Sequence, residues 1–175
     1  MNTKVSDIKT LLDNLDKRLA RKFPKGVAEL RNYIFNAHSQ LEDWIGVVII
    51  RESFKTVESS GLDMKLKTTI MSDASIEVNR LLMVMEFHMM LKAFLKSVDN
   101  HKLRIVLEDK ISAVNRIRNE FAHPFGNFLR LYDINTPEGV QNQIKVLNKL
   151  YSAIEAMEKY LLTYHKKWYL ESLKT

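Results

Sequence analysis

Glycine and proline are scarce in this chain, with five glycines and three prolines in 175 residues. Sheet proteins need many turns, and turns draw on those two residues, so such sparse punctuation favours long helices joined by few loops. The apolar residues agree: they recur at spacings of three and four, the period of a helix with one buried face. No strand pattern survives comparison with the helical one, and the chain has no internal repeat or low-complexity linker. The expectation is an all-α fold, a single domain over residues 1–175, built as a bundle of four or five helices with two long members.

Composition narrows the function. Cysteine is absent, which removes disulfides, thiolate metal sites and a cysteine nucleophile, and fits a reducing cytoplasm. Asp7, Asp13 and Asp16 sit among the apolar positions of the first twenty residues, unlike a signal peptide. The most apolar run, LLMVMEFHMMLKAFL at 81–95, is interrupted by Glu86, His88 and Lys92 and is short for a bilayer span. No membrane partner is expected, and the expected location is the cytoplasm. The net charge of +6 is compatible with a polyanion such as RNA, a weak indication alone.

Read along the chain, Val5, Ile8, Leu12, Leu15, Leu19 and Phe23 predict a first helix ending at FPKG. Lys17, Arg18, Arg21, Lys22 and Lys25 lie on its exposed side, where cations near a helix C-terminus are favourable. A second helix is expected from Val27 to about Ser59, with Leu30, Ile34, Ala37, Leu41, Trp44, Ile45 and Val48 as its stripe, before SSGLDMK breaks it. A third is expected from the Ser72–Ser75 region to about Val98. It is apolar nearly all round, as a central buried helix would be, with Met83, Met85, Met89 and Met90 as core filling. A fourth follows DNHK and carries Leu103, Leu107, Ile111, Val114, Ile117 and Phe121 to the core until Pro124 stops it. After an irregular stretch, Pro137 opens a last helix to about Trp168, with Ile144, Leu147, Leu150, Ile154, Met157 and Leu161 as its stripe.

One stretch concentrates functional groups: VNRIRNEFAHPFG, residues 114–126, at the end of the fourth helix. Asn119 and His123 are four apart and share a face, whereas Arg118 and His123 are five apart, roughly 140° around a straight helix. Pro124 breaks the helix at His123, so the imidazole can swing back towards Arg118, or the two can meet across a dimer interface. Arg116 shares the face of His123 and is a further cation for the same site. Arg116, Lys17 and Arg21 are the candidates for contacts with a polyanionic substrate. Capping of the last helical carbonyls by these side chains is the plainer explanation of any one of them.

The string Arg118-Asn119 with His123 after four intervening residues, at a helix end in a small all-α chain, resembles the HEPN domain (higher eukaryotes and prokaryotes nucleotide-binding). The resemblance implies a helical homodimer and a metal-independent endoribonuclease, such as a toxin of a toxin–antitoxin pair or an anti-phage effector. Arg118 and His123 of both protomers would line one cleft, with Asn119 orienting them and no cofactor required. A nucleotidyltransferase-like antitoxin is an implied partner. Some such toxins carry a modifiable tyrosine two residues after the histidine; here the position is Phe125, which has no hydroxyl. Mannitol-operon-repressor-like members of the wider group have similar strings without established catalysis, which implies the alternative of a regulatory or interaction protein.

The chemistry suits those residues. RNA supplies its own nucleophile, the 2′-OH, so cleavage needs proton transfer and charge stabilisation. Histidine titrates near neutrality and serves the first. Arginine keeps its charge and matches a phosphate with a planar fork. In-line attack profits from a base and an acid on opposite sides, and a two-fold dimer offers two imidazoles where one chain offers one. Elsewhere, His38 and Glu42 share a face but lack a third ligand and read as a solvent-facing pair. Glu86 and His88 are expected to find core hydrogen bonds, and His165 to sit at a solvated helix end. No glycine-rich nucleotide fingerprint is present.

Overall fold

The computed structural model describes residues 27–123, 128–166 and 169–170. Its described residues form helices and no strand: α1 (Val27–Glu58), α2 (Met64–Val84), α3 (Phe87–Lys96), α4 (His101–Ala122), the single turn α5 (Phe128–Leu131) and α6 (Pro137–Tyr164). The expected first helix, with Lys17 and Arg21, lies outside the described residues, as do Pro124, Phe125 and Trp168. The chain divides into two compact units, one of Met1–Leu41 with Asp109–Thr175 and one of Glu42–Glu108.

The first unit is a helical bundle. Its core takes Leu30, Ile34, Ala37 and Leu41 from α1, Ile111, Val114, Ile117 and Phe121 from α4, and Leu147, Leu150, Ile154, Met157 and Leu161 from α6. These are the stripes the spacing predicts. Lys110 ties α4 to α6 by donating to the Ser152 carbonyl at 3.4 Å. The start of α6 is fixed by sequence chemistry. The Thr136 hydroxyl accepts from the Gly139 N–H at 3.0 Å as an N-cap, and Pro137 follows where its missing N–H costs nothing. Gly139 is required there, because a Cβ would overlap the backbone of Asp133. The stretch expected to be irregular contains α5, whose end is held to α6 by Gln143 and Asn142, donating to the Tyr132 and Leu131 carbonyls at 2.7 and 2.9 Å. The last helix closes at Tyr164, before the expected Trp168, and His165 is half-buried beside Tyr160 (ring centroids 5.5 Å apart) rather than solvated.

In the second unit Ile45, Val48 and Phe54 of α1 are buried together with Met90, Leu91, Phe94 and Leu95 of α3, Val98, and Leu107 of α4. Three expectations are corrected here. The long third helix is two helices: it begins at the Asp63 cap, whose carboxylate accepts from the Leu66 N–H at 3.0 Å, and breaks at Met85 and Glu86, both extended. It is not buried all round either. Met83 and Val84 are 87% and 82% exposed, and Ile76, Leu81 and Met89 are exposed as well, leaving Met90 as the methionine of that run in the core. Glu86 and His88 are exposed and paired with each other at 3.0 Å, not bonded within the core. Among the described residues no helix is long and apolar enough to cross a membrane.

Candidate functional site

The C-terminal half of α4 sorts its polar side chains onto two sides. Asn115, Arg118 and Asn119 recur at spacings of three and four and form one stripe beside the buried positions Val114 and Ile117. On α1, Arg31, Phe35 and His38 form a second stripe by the same rule. The two meet within the first unit. The Arg118 guanidinium lies over the Phe35 ring at 5.4 Å, and Arg31 lies over the same ring at 5.3 Å, both within cation–π reach. Arg118 also donates through Nη1 to the Asn119 Oδ1 at 3.1 Å. Its side chain is half-buried, so the aromatic face and the amide fix a guanidinium that still reaches solvent.

Next to it is a histidine that sequence spacing placed wrongly. His38 is buried, 8% exposed, and does not face solvent. Its Nε2 lies 3.2 Å from Asn115 Oδ1, so the ring N–H donates to the amide oxygen. Burial pulls its pKa below the ordinary histidine value, the Asn115 hydrogen bond opposes that, and the Arg118 charge lowers it further. His38 is thus held towards the neutral form, and it orients Asn115 one turn before Arg118.

His123 is the residue just past α4, its N–H still bonded to the Asn119 carbonyl at 3.0 Å and its side chain exposed. The structure therefore joins Arg118 to Asn119, Phe35 and the His38–Asn115 pair, and leaves the His123 imidazole facing solvent at the helix end. Arg116, two residues before Arg118 and so roughly 200° around the helix, is exposed on the other side, seven residues before His123 and in register with it. Among the described residues no three His, Cys, Asp or Glu side chains gather as a metal site. Sequence spacing assigns no role to Phe35 and Asn115 and a solvent-facing one to His38; their signal is legible only in hindsight. Their helical stripes are readable, but which stripe faces which depends on a contact across 77 residues of chain.

The chain matches no protein-family model, no curated protein and no solved structure.

Proposed function

We propose that this chain is a metal-independent endoribonuclease of the HEPN type, a toxin or anti-phage effector whose active site is completed by homodimerisation. The observation that carries the reading is that one helix end presents a fixed cation and, five residues on, an exposed imidazole. Arg118 is held by Asn119 and Phe35, and His123, five residues on, is exposed. His123 acts as the general acid or base, taking the proton from the 2′-OH or returning one to the 5′ oxygen. Arg118 stabilises the charge that accumulates on the phosphate oxygens as phosphorus becomes pentacoordinate. Asn119 sets the guanidinium. The 2′ oxygen forms its bond to phosphorus as the bond to the 5′ oxygen breaks, leaving a 2′,3′-cyclic phosphate and a 5′-OH. A second protomer supplies the second imidazole that opposite-side acid–base catalysis needs, so the expected partners are RNA, a second copy and a nucleotidyltransferase-like antitoxin.

The test is incubation of the purified protein with mixed RNA in EDTA, followed by end analysis. The expected result is cleavage with cyclic- or 3′-phosphate and 5′-OH ends; intact RNA in the presence of folded dimer would overturn the reading. One observation favours a second reading, a non-catalytic regulatory or interaction module. Among the described residues, the Arg118 contacts to Phe35 and Asn119 lie within its own unit, where the side chain also stabilises the packing of α1 on α4.

A further inference from the structure

On the other side of α4 is a groove of about 330 Å³, formed within the first unit. That volume lies in the range of ordinary ligand sites. Two helical stripes of identical spacing make its walls: Ala113, Arg116, Ile117 and Glu120 from α4, and Asn142, Lys145, Val146 and Lys149 from α6. Ile117 and Val146 are buried and form an apolar floor, while Arg116, Lys145 and Lys149 are exposed and stand at the rim with the single carboxylate of Glu120. Tyr132 also lines it, its ring packed against Phe121 at 4.8 Å and its hydroxyl pKa raised by burial and by the Glu120 charge. Arg116, on this rim, is in helical register with His123.

We infer that this groove binds a stretch of single-stranded RNA, its phosphates on Arg116, Lys145 and Lys149 and a base over the apolar floor beside Tyr132, and leads the strand towards His123. The chemistry is that of strand binding without sequence readout, in which cations follow the backbone and an aromatic or apolar surface takes bases. A duplex is a poorer fit, because its bases are already stacked and cannot reach the floor. The RNA assignment rests on the proposed function, whereas the presence of a strand-binding groove does not depend on cleavage.

The experiment is fluorescence anisotropy of a labelled 2′-O-methyl oligoribonucleotide, which has no free 2′-OH and cannot be cut, with the full chain over a range of salt. The double variant Lys145→Ala/Lys149→Ala and the single variant Arg116→Ala are expected to weaken binding, the double by about tenfold or more. Losing all three cations should lower the slope of log affinity against log salt by about 2, at about 0.7 per phosphate for single strands. Glu120→Gln is expected to tighten binding, an effect no loss of folding could mimic. Affinity and slope unchanged in all of these variants would overturn the proposal, as would adenosine monophosphate binding more tightly than the strand. The wild-type protein cleaving ordinary RNA, or failing to, tests the nuclease reading separately.

Discussion

Arg118 has little freedom for so long a side chain: Phe35 lies under its guanidinium and the Asn119 amide accepts from one of its nitrogens. A cation held in advance stabilises developing phosphate charge without having to be reorganised. The neighbouring histidine gives the cluster a pH signature. The His38 pKa is lowered in the folded chain, so the unfolded chain takes up the proton first. Stability is therefore full above the ordinary histidine value, about 6.5, and falls as pH drops below it towards the lowered one. Urea unfolding at pH 7.5 and pH 5.5 should show that loss in the wild type and a smaller one in His38→Gln. Equal losses would place the acid sensitivity elsewhere. Arg118 and His123 were legible as residues from their string alone, because types and spacing are local. His38 was not, since a buried histidine and a solvent-facing one look alike until the partner, Asn115, is brought in from 77 residues away.

At the scale of elements, α4 and α6 follow their apolar stripes almost position for position, because each has one face to bury and clear chemistry at its ends. Thr136, Pro137 and Gly139 at the start of α6 make a sharp prediction. Thr136→Ala removes the cap and should cost about 1 kcal/mol. Gly139→Ala should cost more, because the added methyl group meets the Asp133 backbone, which cannot rotate away as a side chain could. Thermal or urea denaturation checks both, and a neutral Gly139→Ala would mean that the turn before α6 relaxes freely. The segment of α2 and α3 was legible only in part. SSGLDMK marked the break before it, and Asp63 is its cap. The break at Met85 and Glu86 has no glycine or proline to announce it. An all-round apolar sequence states only that side chains are apolar, not that anything covers them, which is why Met83 and Val84 read as buried and are exposed.

For the whole molecule, the proposed mechanism demands more than one chain. One protomer supplies one His123, five residues along the chain from its fixed Arg118, and opposite-side proton transfer needs two groups. Light scattering at concentrations where RNA is cleaved should therefore return twice the 20.5 kDa chain mass; an active species of the chain mass alone would remove the dimer from the mechanism. Helical architecture follows from the sequence period, but partner and substrate do not, because they depend on surfaces that apolar spacing does not describe.

If Arg118 and His123 cleave RNA together, the rate of RNA cleavage in EDTA by wild type, Arg118→Ala, His123→Ala and His38→Gln, each confirmed folded by circular dichroism, will show it. Loss of at least about a hundredfold in each of the first two variants, the scale of a single acid–base or electrostatic contribution, is the predicted result, with His38→Gln far less affected. Full activity in His123→Ala, with the loss confined to His38→Gln, would remove His123 from the chemistry.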